Sequence, residues 1–282
     1  MAAVGLGLVS ALLFGAMSVA LRMALDRDPD VALGTMATAV SALAVAVVGV
    51  AAEAPARGLH LSSAWPFLLA GLLSPGAAQI LVTVAIRESG SSRVSMVFGT
   101  APLVSVTIAL LFLGEPVRAP LIAGAVLVVA GGVELARERD RPAHFNRLGL
   151  VFAFAGASLF ATRDNLVRHL AVGKTAVPPA VAAAAALLGG TALIAIWARE
   201  GIGRRWLRFV PAGLLFGGSY VSLFEAYYRG RVTVVAPLVA IESLAGVALS
   251  ALLLRDSELV GKRLVFGAGL IVAGGALIGA FR

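Results

Sequence analysis

Cysteine is absent from this 282-residue chain. That removes disulfides, thiolate nucleophiles and thiolate metal sites from consideration. Histidine is nearly as scarce: His60, His144 and His169 stand in three separate connections with no metal-ligand spacing. The phosphate-cradling G-x-x-x-x-G-K-[ST] loop is missing, and Gly5-Leu6-Gly7 and Gly201-Ile202-Gly203 lack the rest of any nucleotide fingerprint. ATP hydrolysis is therefore not expected. With no recognisable Ser/His/Asp set either, no enzyme, no metal and no cofactor are expected. Charge is thin as well, at 13% of residues against 60% hydrophobic. Soluble domains carry about 25% charged residues, and the mean hydropathy here is +0.96. Lipid is the expected solvent for most of the chain.

What is present is a series of long apolar runs. A spanning helix needs roughly 20 such residues, and ten segments qualify. In the first half they fall at about 4–23, 31–52, 65–86, 93–113 and 119–136; in the second, at about 146–170, 176–198, 207–228, 232–254 and 260–281. The runs are continuous rather than alternating, which excludes spanning strands. Only Met1 and two alanines precede the first run, with no basic n-region, so the first helix is expected to be retained rather than cleaved as a signal peptide.

The chain is also written twice. Gly7-Leu8-Val9 returns as Gly149-Leu150-Val151, and Ala70-Gly71-Leu72-Leu73 as Ala212-Gly213-Leu214-Leu215, both 142 residues on. Gly124-Ala125 and Val129-Ala130-Gly131-Gly132 return as Gly267-Ala268 and Val272-Ala273-Gly274-Gly275, 143 residues on. Two five-helix repeats, 1–139 and 140–282, follow. An odd number of spans per copy makes the second copy enter the bilayer from the opposite side. The expected fold is all-α and integral to the membrane: ten transmembrane helices in two inverted five-helix repeats around a central cavity, the architecture of alternating-access carriers.

The net charge of +8 could suggest nucleic acid, but the 23 basic residues are scattered over short connections, where they report orientation. The odd-numbered connections hold 15 of them, and the even-numbered connections with the C-terminus hold 8. Taken alone, that bias puts both termini outside the cytoplasm.

Ionisable groups inside a span are costly and are functional candidates by default. Glu242 lies near the middle of the ninth run, where a carboxylate must face a wet cavity, meet a cation or stay protonated. It could carry a proton or grip a cationic solute; a protonated Glu bonding a neighbouring helix is the structural alternative. Glu225 lies in the last third of the eighth run with Arg229 one turn on, so a simple i,i+4 pair competes with a binding role. Tyr220, Tyr227 and Tyr228 are the only tyrosines and share that run; Tyr220 and Tyr227 lie on one face and suit a pocket wall, and Tyr228 suits the interfacial belt. On the third run, Ser74-Pro75-Gly76 precedes Gln79, and Phe216-Gly217-Gly218-Ser219 is the matching stretch of the eighth. Breaks at corresponding positions in both copies point to a midplane site, although close helix packing explains the glycines as well. At Thr162-Arg163-Asp164-Asn165 either the sixth run ends early with these residues in water, the favoured reading because Arg168 and His169 follow at once, or Arg163 lines the vestibule; Arg22 is expected to snorkel at the end of the first. The candidate substrate-binding residues are Ser74, Gln79, Tyr220, Glu225, Tyr227, Glu242 and Ser243, with Glu242 also the candidate for proton or cation coupling.

Two segments resemble a known family. Pro102-Leu103-Val104-Ser105 leading to Leu111-Phe112-Leu113-Gly114-Glu115-Pro116, then Gly124-Ala125 and Ala130-Gly131-Gly132, is similar to the EamA-type pattern of the drug/metabolite transporter superfamily. In the second copy Glu242-Ser243 stands where the family often has Glu-Pro, and Asp256 stands where Glu115 stands in the first. The resemblance covers essentially the whole chain. It implies a ten-helix inverted repeat with spans 5 and 10 peripheral, cytoplasmic termini (against the basic-residue bias), and export of small metabolites, amino acids or related compounds foremost, across the cell membrane. It also implies structural roles for Pro102, Gly114, Glu115 and Asp256. A passive channel and a non-transporting membrane scaffold are the rival readings. A centre filled by Leu and Phe would favour the scaffold; a wet pocket holding Glu242, Tyr220 or Gln79 would favour transport. The partners expected are a small-molecule substrate and the lipid bilayer, with no nucleic acid, and the sequence is silent on oligomeric state.

Overall fold

A computed structural model describes residues 2–101, 103–104, 107, 119–137, 145–172, 177–199, 204–230, 235, 240–254 and 260–280. Among these residues the protein is all-helical. The helices are α1 (Ala2–Arg27), α2 (Val31–Arg57), α3 (Trp65–Gly71), α4 (Ala78–Ser89), α5 (Ser91–Phe98), α6 (Ala119–Ala136), α7 (Arg147–Val172), α8 (Pro179–Ala198), α9 (Val210–Arg229), α10 (Ile241–Leu253) and α11 (Lys262–Ala280). Short 3₁₀ turns at Leu61–Ser63 and Arg204–Arg208 precede α3 and α9. Five helical stretches are long and apolar enough to cross a membrane: α1, α2, Trp65–Ser89, Arg147–Ala171 and α8. Shorter apolar helices accompany them, so the protein is a multi-pass membrane protein. The fourth and ninth expected runs extend into residues outside the described set, as do Pro102, Gly114, Glu115 and Asp256.

The third run is broken where its sequence predicts. Between α3 and α4 the chain makes a wider π-helical turn, Leu72–Ala77, in which Ser74 leaves helical geometry altogether (φ −148°, ψ 118°). Pro75 supplies no amide N–H, so the helical ladder cannot close there. The matching stretch of the eighth run behaves differently: α9 continues unbroken through Phe216-Gly217-Gly218-Ser219. Its glycines serve packing, because a Cβ on Gly217 would lie 2.7 Å from the Ala42 carbonyl oxygen of α2. The same logic holds across the bundle, where a Cβ on Gly71 would come within 2.0 Å of the Ala186 oxygen and one on Gly189 within 2.1 Å of the Leu68 oxygen. Small residues are what let helices without a hydrophobic drive between them approach so closely.

Packing follows the repeat. α1 lies along α9, and its counterpart α7 lies along α4; α9 packs on α2, and α3 packs on α8. Three further pairs join corresponding spans directly: α2 with α8, α5 with α10, and α6 with α11. Each of these is antiparallel. Ser91 meets Ser250 (Oγ–Oγ 2.9 Å), and one turn later Ser95 abuts Gly246. Gly124 faces Gly274, and Gly131 faces Gly267. Glu53 accepts the Ala180 N–H at 2.8 Å, and towards the other end Ala39 packs with Ile194. A two-fold axis running along the helices would make such pairs parallel; one lying across them makes them antiparallel, as an inverted repeat requires.

Two arginines repeat the same contact in the two halves. Arg22 of α1 donates to the Ile86 and Arg87 carbonyls at the end of α4 (3.3 and 3.0 Å) and pairs with Asp26 at 2.9 Å. Arg168 of α7 donates to the Tyr227 carbonyl in the last turn of α9 at 2.7 Å. A cation at the negative end of a helix satisfies carbonyls that lack intrahelical donors. Arg22 is buried at 5% exposure, so it does not snorkel as expected: its guanidinium is taken up by the α4 carbonyls and Asp26.

Outside the spans, the α1–α2 connection is clamped to the 3₁₀ turn before α9. Arg205 grips Asp28 with both ends of its fork (2.7 and 2.5 Å) and reaches Asp30 at 3.2 Å, while Arg208 approaches Asp28 at 3.4 Å. The Arg205 hydrogen bonds hold the Asp28 carboxyl below its usual value, outweighing burial, which pulls the other way.

Candidate functional site

The centre of the bundle is a small cavity between the halves. α1 contributes Ser10 and Phe14, and Phe98 and Ala101 come from the end of α5 and just beyond it. The second half contributes Phe160, Ala161, Arg163 and Asp164 from α7, Phe216, Ser219, Tyr220 and Leu223 from α9, and Glu242 from the first turn of α10. Its volume is about 30 Å³, and a water needs roughly 10–15 Å³ by this measure, so there is room for one or two.

The walls are aromatic. Phe14 meets Phe98, Phe160 and Phe216 at 5.4, 5.6 and 6.0 Å between ring centroids, and Phe216 leads on to Tyr220 at 5.5 Å. Edge-to-face packing of this kind holds rings in fixed positions. Ser10 and Ser219 bridge α1 and α9 across the cavity at 3.0 Å, and Ser219 also donates to the Ser10 carbonyl at 2.9 Å.

Into this box project one cation and two carboxyl groups. Arg163 is 1% exposed. Its guanidinium carbon lies 4.5 Å from the Tyr220 ring centroid, 5.2 Å from Phe160 and 5.6 Å from Phe224. Its Nε contacts Asp164 Oδ1 at 2.9 Å, and Tyr227 faces the same carboxylate. Among the described residues, neither Arg163 Nη1 nor Glu242 Oε1 has a hydrogen-bond partner. Gly15 lets α1 close against Glu242: a Cβ there would lie 2.9 Å from the Gly246 nitrogen and 3.2 Å from the Glu242 oxygen.

Of the residues singled out from sequence, the structure brings Tyr220 and Glu242 to the cavity wall, with Tyr227 just behind. Ser74 contributes its carbonyl, which accepts the Tyr220 hydroxyl at 2.8 Å and ties α9 to the break between α3 and α4. Ser243 turns away from the cavity, donating to the Ala240 carbonyl at 2.8 Å. Gln79 is fully buried on α4, its amide unpaired among the described residues, and is not among the cavity-lining residues. Glu225 is not at the centre. It pairs with Arg229 and lies 3.6 Å from Arg57, in an outer groove with Glu53. Glu242 lies in the first turn of α10, and most of the expected ninth run before it lies outside the described residues.

The expectation that the sixth run ends at Thr162–Asn165 is overturned. α7 continues to Val172 and carries Arg163 into the core, because aromatic faces and Asp164 receive the charge there. A vestibule-lining Arg163 is the less favoured of the two sequence readings, and the phenylalanine box has no counterpart in the sequence analysis. The available signal was register: aligning Arg22 with Arg168 sets Phe14 beside Phe160 and Met17 beside Arg163.

Two like halves of membrane helices, with charge held at their common centre, make a transporter-type membrane protein. The model of the EamA-like transporter family matches residues 1–134 and again 147–280, and the chain belongs to that family. The two matches start at residues 1 and 147, a register of 146, which is also the separation of Arg22 from Arg168. The fold is shared with a crystal structure of a protein at TM-score 0.68 and 22% identity, over 98% of this chain and 95% of that one. No curated protein matches it.

Proposed function

We propose that this protein is a secondary transporter of a small polar or amphipathic metabolite, an amino acid or related compound, exported across the cell's inner or plasma membrane by alternating access. In this reading residues 1–139 and 140–282 are two five-span repeats, the second inverted, giving ten spans in all. The antiparallel pairing of corresponding helices supports that arrangement. The observation that carries the proposal is the chamber between the halves, where Glu242 and the Arg163–Asp164 pair lie buried together. Ionisable groups at that depth are retained where they meet a cargo or an ion. In this reading a chamber with room for one or two waters must widen before it takes up a solute. Rocking of the halves opens the chamber to one face at a time, and the Glu242 carboxyl takes up or releases a proton as its surroundings change.

A phenylalanine-walled centre of about 30 Å³ is the one observation that favours the rival reading, a membrane scaffold without transport. Counterflow in proteoliposomes decides between them, since a carrier exchanges labelled for unlabelled solute and a scaffold does not. Within the carrier reading, Glu242→Gln folds normally and abolishes pH-dependent transport. A variant whose pH profile matches the parent's removes the coupling role from Glu242.

A further inference from the structure

We infer that Arg163 is the carboxylate-binding residue of the central cavity, so that the solute carried bears a carboxylate. This rests on the transporter reading and narrows its substrate class. Two other arginines of the bundle, Arg22 buried and Arg168 half-buried, serve as a comparison. Arg22 and Arg168 spend their guanidinium N–H groups on backbone carbonyls at helix ends, as a structural arginine in lipid should. Arg163 does not. Its positive charge is received by the faces of Tyr220, Phe160 and Phe224 and by Asp164 at the Nε edge, while Nη1 is left without a partner in the cavity wall. A guanidinium held rigidly from behind with donor capacity open is the arrangement that receives a planar carboxylate.

The repeat supplies a second, independent observation. In the register set by Arg22 and Arg168, Met17 and Ser18 of α1 occupy the places of Arg163 and Asp164. Met17 is fully buried without charge. The cation is thus peculiar to one half, and the chamber holds one carboxylate site rather than two. Glu242 Oε1, unpartnered on the same cavity, can accept an ammonium, so a zwitterion satisfies both open groups at once.

The test is equilibrium binding to the purified wild-type protein. The twenty standard amino acids are titrated, and the tightest is compared with its decarboxylated amine and its deaminated acid. The amine is expected to bind about 10–100-fold more weakly than the amino acid, the range for losing a charge-assisted hydrogen bond. Arg163→Gln should lower amino-acid affinity by a similar factor, and Arg163→Lys should restore part of it. The inference is overturned if the amine binds as well as the amino acid, if no amino acid or deaminated acid binds, or if Arg163→Gln leaves affinity unchanged. Should that variant not fold, the three-ligand comparison on the wild type still decides. Counterflow keeps the two readings apart. Exchange of the amine at the amino acid's rate sinks the carboxylate assignment and spares the carrier; a solute that binds without exchanging sinks the carrier and spares the binding site.

Discussion

Replacing Tyr220 by Phe removes one oxygen from a buried aromatic packed on every side. The ring is 2% exposed, stacked on Phe224 at 4.9 Å, edge-on to Phe216 at 5.5 Å and beneath the Arg163 guanidinium at 4.5 Å. All of those contacts survive in the variant. What is lost is the hydroxyl, with its 2.8 Å hydrogen bond to the Ser74 carbonyl at the non-helical residue of the broken third span and its polar contact with Arg163. That carbonyl is then left in a buried, water-poor setting. A net hydrogen bond is worth about 0.5–1.5 kcal/mol, and interhelical bonds measured in membranes reach at most about 1.7, so the expected loss is about 1 kcal/mol. For a protein of this size that lowers the Tm by about 2–4 °C. The assay is thermal unfolding in detergent, with counterflow measured in parallel. Tyr220→Leu, which also removes the cation–π face, should cost distinctly more. A Tyr220→Phe protein as stable as the parent would refute the reasoning, because Ser74 would then not depend on α9 for its donor.

The Asp28–Arg205 clamp has a predictable pH dependence. Its folded carboxyl titrates below the ordinary value of 3.8, so its contribution is complete above that value and is lost as pH falls through the lowered one. Asp28→Asn should therefore be less stable than the parent by a constant margin from pH 5 to 8, with the margin closing in strong acid and shrinking at high salt; a margin that changes between pH 5 and 8 would contradict the assignment. Gly71→Val should overpack the α3–α8 contact, where even a Cβ would meet the Ala186 oxygen at 2.0 Å, and should destabilise by about 1–3 kcal/mol or more. Unchanged unfolding of that variant would mean the two helices can separate at little cost.

Much of the architecture is legible in one dimension because the length and apolar character of a run, and its repetition, are local properties. The breaks at Arg27–Asp30 and Gly90, the latter at φ 86°, fall between runs read from hydropathy alone. The Ser74-Pro75-Gly76 interruption is visible because a proline without an N–H interrupts any helix ladder. The site is harder to read. Glu225 and Arg163 look alike as a sequence: each is an ionisable residue near the end of an apolar run with an opposite charge close by, Arg229 in one case and Asp164 in the other. One proves peripheral and the other central, since depth depends on which face of a helix meets its neighbours. The repeat register compounded this. Matching Gly7-Leu8-Val9 to Gly149-Leu150-Val151 sets the first spans 142 apart, whereas the packing sets them 146 apart. Four residues is about one helical turn, enough to leave Arg163 near a helix end on paper.

From its residues alone, then, the chain determines that it lives in lipid, that it comes as two copies, and where one of its helices must break; these follow from the solvation of runs and the chemistry of single residues. Only the tertiary structure decides that corresponding helices pair antiparallel, that Arg22 and Arg168 close helix ends while Arg163 enters the core, and that three aromatic rings gather around it. Those outcomes depend on contacts between residues up to some 200 positions apart, such as Ser10 with Ser219. A long-range contact has no local signature: the free energy of burying a charge is set by what another helix brings to it.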